Sequence, residues 1–183
     1  MKIGIYGGTF DPIHYGHLIL ARDAQEALGL DKIVFFPAKI SPHKEATRPA
    51  SPEVRYEMVA AAIEGEAGFE VNDFEIRRDS PSYTVDTLRM MKAQHPESEL
   101  FLFLGADNLA ELHTWSEIDT VRELARLIVF GRSSISTGDY FFLPRQIDIS
   151  STEIRNRVAK GLSIRYLVPA KACLVLEKQK LYR

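Results

Sequence analysis

The first seventeen residues constrain the fold more than any other stretch, because they combine a buried strand, a glycine turn and a helix start. The apolar alternation at Ile3 and Ile5 is typical of a central strand. Gly7-Gly8 lets the backbone turn tightly and approach a ligand, and Pro12 prevents a continuous helix through the following loop. A helix that starts near His14 to Gly16 would direct unpaired N–H groups at that turn, where they attract phosphate.

Two histidines lie three residues apart at this helix start. His14 and His17 would share one face of the helix, and an imidazole can donate to a phosphate oxygen and carry charge near neutral pH. The alternatives are an ordinary surface pair or half of a zinc site, although no cysteine or third histidine stands nearby to complete one. The turn is not a dinucleotide fingerprint, since it lacks Gly-x-Gly-x-x-Gly, and the chain has no Gly-Lys-Ser/Thr loop.

Length and composition restrict the class of protein. The chain has 183 residues, of which 45% are hydrophobic and 26% are charged, and these values are typical of one globular domain with a buried core. We therefore predict a single domain over residues 1–183, with a C-terminal helical part, residues 151–183, packed on the rest. A net charge of −2 argues against a nucleic-acid partner, so local cations and helix ends must hold any anionic ligand.

Three features predict a cytoplasmic protein without a membrane anchor. No charged-then-apolar leader precedes the first strand, and the longest apolar block, Leu100 to Leu104, is too short to span a bilayer. Cys173 is the only cysteine, so it cannot form an intramolecular disulfide, and a buried inert thiol suits a reducing compartment.

Apolar runs between turn residues predict alternating strands and helices. The first helix ends at Gly29 and Ile33–Phe36 forms a second strand, which makes a right-handed βαβ unit. Ser51-Pro52 begins another helix. The other predicted strands are Phe69–Phe74, Glu75–Arg78, Leu100–Leu104, Leu127–Phe130 and a last one approached by Phe141–Leu143 and Gln146–Ile149. The other predicted helices are Val85–Lys92, one from Leu109, Val121–Arg126, one from Ser151 to Gly161, and Ala170–Lys180. The alternation indicates an α/β fold.

Polar side chains follow the predicted strands, at the sheet edge where α/β proteins bind ligands. Lys44 lies in a turn-rich loop after the second strand, where it is either a solvated lysine or a ligand contact. Tyr83 and Thr84 lie at a helix start, which Ser82 or Thr84 can cap, and they can also face a ligand there. These residues alone leave both uses open.

Gly105 and Asp107 follow the most hydrophobic strand. Asp107 either caps a helix that begins at Leu109 or binds ribose hydroxyls, and the sequence favours neither. Trp115 is the only tryptophan. It either packs in the core, as most tryptophans do, or stacks on a flat heterocycle at the ligand edge.

A second cluster of polar residues, Ser150-Ser151-Thr152-Glu153-Ile154-Arg155, lies far downstream. Three hydroxyl residues before a helix offer caps and phosphate donors together. Arg155 lies one turn into that helix, on the side of Ser151 or Thr152, where its guanidinium suits a bidentate phosphate contact. Taken alone, the segment also fits an ordinary capped helix with a solvated arginine. A binding role therefore requires that it reach the glycine turn.

The two clusters resemble the motifs of the HxGH nucleotidylyltransferases. The first reads Gly7-Gly8-Thr9-Phe10-Asp11-Pro12-x-His14-x-Gly16-His17, and the second reads Ser150-Ser151-Thr152-x-Ile154-Arg155. Within that superfamily the whole chain is similar to the bacterial nicotinate-nucleotide adenylyltransferases. The further matching segments are Ser41-Pro42-His43-Lys44, Pro81-Ser82-Tyr83-Thr84, Gly105-Ala106-Asp107, His113-Thr114-Trp115 and Leu181-Tyr182-Arg183. Residues 133–142 match nothing in the family pattern.

The resemblance implies a Rossmann-like, doubly wound, mainly parallel sheet with helices on both faces. It also implies an enzyme of NAD biosynthesis that transfers AMP from ATP to nicotinate mononucleotide, giving nicotinate adenine dinucleotide and pyrophosphate. The implied catalytic residues are His14 and His17, which would face the triphosphate. The implied ATP-binding residues are Gly7, Gly8, Thr9, Phe10, His14, His17, Gly105, Asp107, Ser151, Thr152 and Arg155. The implied pyridine-nucleotide residues are Lys44, Tyr83, Thr84 and Trp115, with Trp115 stacked on the ring.

The implied reaction needs no general base, because its nucleophile is a phosphate monoester whose second ionisation lies at about pH 6. We expect catalysis by positioning and charge stabilisation, with Mg²⁺ held mainly by ATP oxygens and water. The alternatives are an adenylyltransferase for nicotinamide mononucleotide or phosphopantetheine, a nucleotide-binding sensor without catalysis, and a zinc protein. The sequence leaves the oligomeric state open, a homo-oligomer included.

Overall fold

The computed structural model describes residues 1–39, 50–79, 83–131 and 140–183. Lys44, Ser82 and most of the predicted loop between Ser133 and Tyr140 lie outside these ranges. For Asp107 the structure describes the backbone and not the side chain.

Six parallel strands form one sheet in the described part of the chain. They are β1 (Lys2–Gly8), β2 (Lys32–Pro37), β3 (Phe69–Val71), β4 (Glu99–Gly105), β5 (Arg126–Gly131) and β6 (Tyr140–Pro144). Their order across the sheet is β3-β2-β1-β4-β5-β6. The first three strands therefore extend from β1 in one direction, and β4, β5 and β6 extend from β1 in the other. This is the doubly wound strand order. The predicted fold class is confirmed.

Eight α-helices connect or follow these strands within the described ranges. They are α1 (Tyr15–Leu28), α2 (Pro52–Ile63), α3 (Phe74–Arg77), α4 (Thr84–Gln94), α5 (Ala106–Glu111), α6 (Ile118–Leu124), α7 (Ser151–Ala159) and α8 (Ala170–Lys178). Two predicted helix boundaries are confirmed. Gly29 follows α1 with a φ of +61°, and the Ser51 hydroxyl accepts the Val54 N–H at 3.4 Å to cap α2.

The two faces of the sheet carry separate apolar cores, because successive strand residues point to opposite sides. On one face, Ile33 and Phe35 pack in a cluster to which α1, α2, α7 and α8 contribute. On the other face, Val34 and Phe36 pack in a cluster with residues of α4 and α6. Helices thus cover both faces, and the carboxyl ends of the strands remain as the edge at which loops can form a site.

One predicted strand was wrong. Residues Glu75–Arg78 lie mostly in α3, a single helical turn. The Asn72 side chain accepts the Phe74 N–H at 2.9 Å, and the Arg77 N–H bonds the Asp73 carbonyl at 3.0 Å. Local side-chain hydrogen bonds of this kind start a turn and compete with strand pairing. Glu75 is buried there, where it accepts the Thr87 hydroxyl at 2.8 Å.

The predicted caps of two helices were also wrong. The N-cap of α4 is Tyr83, and Thr84 is already the first helical residue. Similarly, α5 begins at Ala106 directly after β4, so Asp107 lies inside the helix and does not cap one from Leu109. Residues 146–149 form no strand, because β6 ends at Pro144.

The C-terminal helices share the core of one sheet face. Ile154 of α7 is fully buried, and Ala172 and Leu176 of α8 belong to the same apolar cluster as β1 and β2. The single-domain boundary stays a prediction. Among the described residues, none of the helices combines the length and apolarity needed to cross a bilayer.

Candidate active site

The glycine loop, residues 7–12, lies at the point where the order of the strands across the sheet reverses. β1 and β4 are neighbours, and their chains leave the sheet at Gly8 and Gly105. In open α/β sheets this reversal opens a crevice outside the strand ends, and ligands bind there. The loop after β1 and the start of α5 after β4 therefore lie at the same edge of the sheet, where Gly7, Gly8 and Gly105 are found.

Phe10 turns its ring away from the crevice and into the core. Its side chain is almost fully buried, and its backbone has a φ of +50°, which bulky residues rarely adopt. A Cβ on Gly8 would lie 2.8 Å from the Phe10 ring, so the turn needs glycine at that position. The ring packs edge-to-face against His17, with centroids 5.1 Å apart. Phe10 thus supports a histidine with its side chain and can offer a ligand only its backbone.

The two histidines form a stacked pair at the start of α1. Their ring centroids lie 3.7 Å apart with 28° between the planes. His14 is only 6% exposed, and burial lowers its pKa to about 4, so it is neutral at pH 7. Its buried Nδ1 has no hydrogen-bond partner within the described residues. That nitrogen faces the helix start, where a Cβ on Gly16 would lie 2.9 Å from it, so it is not itself open to a ligand.

His17 is oriented by the backbone of His14. Its Nδ1 accepts the His14 N–H at 3.2 Å. A nitrogen that accepts a hydrogen bond carries no proton, so in a neutral His17 the ring proton is on Nε2. The His17 ring is therefore held in one tautomer, with a donor at the far end of the ring.

Gly16 explains the spacing of the histidine motif. A Cβ at this position would lie 2.9 Å from His14 Nδ1, which is closer than real Cβ contacts. The same Cβ would lie 3.5 Å from the Ile147 side chain. A glycine between the histidines is required because the His14 ring crosses the helix start there. The contact also places the segment after β6 beside α1.

The helix start offers fewer unpaired N–H groups than we predicted. The Tyr15 N–H donates to the Leu167 carbonyl at 2.9 Å, and the His17 N–H donates to the His14 carbonyl at 3.0 Å. The segment before α8 therefore takes up one of the donors expected to face phosphate. More of the phosphate-binding task then falls to side chains.

The downstream motif contacts the glycine loop directly. The Ser151 hydroxyl donates to the Pro12 carbonyl at 2.9 Å, across 139 residues of sequence. Arg155 Nη1 donates to the Asp11 carbonyl at 2.8 Å, and Nη2 donates to the Thr152 hydroxyl at 3.1 Å. Ile154, fully buried, anchors α7 in the core. The structure thus brings the two motifs together at one edge of the sheet.

Arg55 was missed by the sequence analysis. It is 1% exposed and donates to the backbone carbonyls of Thr9 (2.6 Å), Ala38 (2.6 Å) and Ala50 (2.9 Å). Burial lowers its pKa, and nearby Asp11 acts in the opposite direction. The sequence held one clue to the burial of Arg55. Arg55 lies three residues before the apolar Met58 in α2, and this spacing places a charged side chain on the apolar face of the helix. Arg55 fixes the glycine loop to the chain after β2.

The predicted pyridine-nucleotide residues lie around a different helix. Tyr83, 42% exposed, and Thr84 begin α4. Trp115 is partly buried and packs against the core that α4 also lines. An ion pair of 2.6 Å between Arg89 of α4 and Glu117 joins the two segments.

A cavity of about 490 Å³ opens at the ends of β4, β5 and β6. Its lining includes Ala106, Gly131, Phe142 and residues 145–148. The volume lies within the range of small-molecule sites. Ile147, which lines the cavity, also lies close to the Gly16 position between the two histidines. The cavity is large enough for a small-molecule ligand such as a nucleoside.

Comparison with known proteins agrees with this architecture. A family model described as cytidylyltransferase-like matches residues 5–157. A protein of Desulfitobacterium hafniense (strain Y51), named "Probable nicotinate-nucleotide adenylyltransferase", is 42% identical over 198 residues, which cover 100% of this chain and 96% of that protein. A protein of the same name from Thermus thermophilus is 43% identical over 189 residues, with 100% of both chains covered.

A solved structure shares the fold at lower sequence similarity. Plasmodium falciparum nicotinic acid mononucleotide adenylyltransferase complexed with NaAD superposes with a TM-score of 0.81 at 20% identity, covering 99% of this chain and 97% of that one. The family model and the bacterial relatives together span the glycine loop, the histidine pair and the downstream motif. The chain therefore belongs to the nicotinate-nucleotide adenylyltransferase family, among the cytidylyltransferase-like proteins.

Proposed function

We propose that the protein transfers AMP from ATP to nicotinate mononucleotide, giving nicotinate adenine dinucleotide and pyrophosphate in NAD biosynthesis. One observation carries the proposal: Arg155 and Ser151 contact the loop that precedes His14 and His17. A single triphosphate can therefore meet the guanidinium and the imidazoles together. The names of the bacterial relatives support nicotinate mononucleotide as the acceptor.

The chemical step is a displacement at the α-phosphorus of ATP. An acceptor phosphate oxygen forms a bond to that phosphorus, while the bond from it to the oxygen bridging to the β-phosphorus breaks. The electron pair leaves with pyrophosphate. The acceptor is already an anion at pH 7, since the second ionisation of a phosphate monoester lies at about pH 6. No side chain has to remove a proton.

The protein contributes position and charge. A neutral His17 carries its ring proton on Nε2 and can donate to a phosphate oxygen there, and His14 adds a neutral ring stacked beside it. Arg155 supplies a planar fork for the outer phosphates. Donors that are fixed before the charge develops stabilise a transition state without reorganisation. The adenosine would occupy the cavity beside Gly105 and Asp107, close to Gly16.

Magnesium is expected to arrive with ATP. It prefers phosphate oxygens and water. Among residues 1–39, 50–79, 83–131 and 140–183, no group of three or more histidine, cysteine, aspartate or glutamate side chains is arranged to hold a metal. Asp11 already accepts hydrogen bonds from Ala50 and Tyr182. We propose that ATP oxygens and water would hold the ion, which would there neutralise charge on the departing pyrophosphate.

The acceptor decides between the remaining possibilities. We propose that Tyr83, Thr84 and Trp115 bind the pyridine nucleotide, together with Lys44, which lies outside the described residues. The flat ring of nicotinate suits stacking on Trp115, whereas the flexible arm of phosphopantetheine offers no ring. A cytoplasmic location and the lack of a nucleic-acid partner stay predictions, and the oligomeric state stays open.

The test is an acceptor comparison. Pyrophosphate release is measured with ATP and, in turn, nicotinate mononucleotide, nicotinamide mononucleotide and phosphopantetheine. We expect the highest kcat/KM with nicotinate mononucleotide. A higher value with another acceptor would reassign the substrate, and ATP binding without pyrophosphate release with any of them would favour a sensor.

A further inference from the structure

Asp11 is a buried carboxylate at the centre of the glycine loop, only 5% exposed. Its Oδ1 accepts the Tyr182 hydroxyl at 2.6 Å and the Ala50 N–H at 3.0 Å. Its Oδ2 lies 3.8 Å from Arg155 Nη1, which donates to the Asp11 carbonyl at 2.8 Å. A single residue thus touches both the arginine assigned to ATP and the last turn of the chain.

Tyr182 is held in place for this contact. It lies 171 residues from Asp11 in sequence and is half-buried. Its φ is +60°, a region that tyrosine rarely adopts. Leu181 and Tyr182 pack against the core that α2 and α8 share. Burial and the hydrogen bond to Asp11 raise the pKa of Tyr182, so the hydroxyl keeps its proton.

We propose that Tyr182 is a positioning residue for Arg155: its hydroxyl donates to Oδ1 of Asp11, and so keeps the N–H groups of the guanidinium that are not donated to the Asp11 carbonyl and Thr152 available for the outer phosphates of ATP. The inference rests on the proposed function, because it assigns those phosphates to Arg155. In this proposal Tyr182 contacts Asp11 and does not touch the reacting atoms of the substrates.

The reason is the demand of a buried carboxylate for donors. Without the Tyr182 hydroxyl, the Ala50 N–H would be the one donor left to Oδ1 among the described residues. Arg155 is the ion-pair partner of Asp11 and can satisfy the carboxylate by turning toward it. An arginine committed to Asp11 would bind phosphate less well. The hydroxyl thus prevents competition between an internal anion and the ligand.

The experiment uses Tyr182→Phe, which keeps the ring and removes only the hydroxyl. Binding of ATP and of AMP is measured by calorimetry without an acceptor. We expect about fivefold weaker ATP binding, a loss of the size expected for part of one charge-assisted hydrogen bond. AMP, which lacks the outer phosphates, should bind as to the wild type. Tyr166→Phe is the matched control, because Tyr166 is 76% exposed in the same C-terminal region.

A double variant tests whether the effect passes through Arg155. In an Arg155→Lys background, Tyr182→Phe should cause no further loss of ATP affinity, because the guanidinium group that Tyr182 positions is absent. Unchanged ATP affinity in Tyr182→Phe, equal losses for ATP and AMP, or additive losses in the double variant would each overturn the inference. A wild type that binds ATP but does not adenylylate nicotinate mononucleotide would overturn the proposed function alone.

Discussion

The ring of His14 lies stacked on the ring of His17, with centroids 3.7 Å apart, and the His14 N–H donates to His17 Nδ1. Two imidazolium rings at this distance would repel each other, and burial keeps His14 neutral. The pair therefore joins a buried neutral ring to a second ring whose tautomer the backbone sets.

The first prediction separates the two nitrogens of His17. In His17→Asn, the amide oxygen can replace Nδ1 as acceptor for the His14 N–H, but the distant donor is lost. We expect kcat to fall about 100-fold or more, as for other lost transition-state donors, with little change in melting temperature. His17→Ala should show the same fall in kcat plus a small loss of stability. Turnover near the wild-type value in His17→Asn would contradict a catalytic role.

The second prediction concerns acid stability. The pKa of His14 is about 4 in the folded protein and 6.5 in a model peptide. Between these values the unfolded chain binds a proton that the folded chain does not, so stability falls as pH falls from 6.5 towards 4. At pH 4.5 this proton uptake by the unfolded chain lowers the unfolding free energy by about 2 kcal/mol relative to pH 7.

Urea unfolding at pH 7 and pH 4.5 checks this expectation. Other groups titrate in the same window, so the relevant quantity is the difference between the wild type and His14→Asn. The variant should lose less stability than the wild type on acidification. Equal losses in both would mean that His14 is not held neutral.

The third prediction compares two glycines. In Gly16→Ala the new Cβ would press against His14 Nδ1, whereas a Cβ on Gly7 would have open space around it. We expect Gly16→Ala to lose about 1–3 kcal/mol of unfolding free energy, as overpacked sites do, and to lose turnover. Gly7→Ala should keep its stability, so any loss of ATP affinity would report contact with the ligand. Full activity in Gly16→Ala would show that the His14 position is unimportant.

The fourth prediction concerns Arg55. Arg55→Met would leave the carbonyls of Thr9, Ala38 and Ala50 without their donor. We expect a loss of about 3–5 kcal/mol in unfolding free energy, since broken buried networks cost this much. Arg77→Met is the control, because Arg77 is exposed and pairs only at the surface; it should cost less than about 0.5 kcal/mol. Similar losses in the two variants would rule out a special role for the buried guanidinium.

The elements that sequence predicts well are those that local pattern determines. The apolar run Leu100–Leu104 belongs to a central strand, and Gly29 and Ser51 mark helix ends as expected. The helical turn Phe74–Arg77 was missed because four residues are too few to show a helical period, and its buried Glu75 is held by the hydroxyl of Thr87 on another helix. A contact of that kind has no trace in the local pattern.

The site was predicted less completely than the fold. The contact between Ser151 and the glycine loop is confirmed, while the ligand roles of these residues stay predictions. Arg55 and Tyr182 were not assigned roles, because their partners Thr9 and Asp11 lie 46 and 171 residues away. A single arginine or tyrosine says nothing about which distant carbonyl or carboxylate it will meet.

The most direct measurement is a crystal structure of the protein with a non-hydrolysable ATP analogue. The account predicts that the outer phosphates lie within about 3 Å of the Arg155 guanidinium, with the α-phosphate beside His14 and His17. The adenosine should lie in the cavity near Ala106 and Gly131. A triphosphate bound away from the contact between Arg155 and the glycine loop would contradict the account.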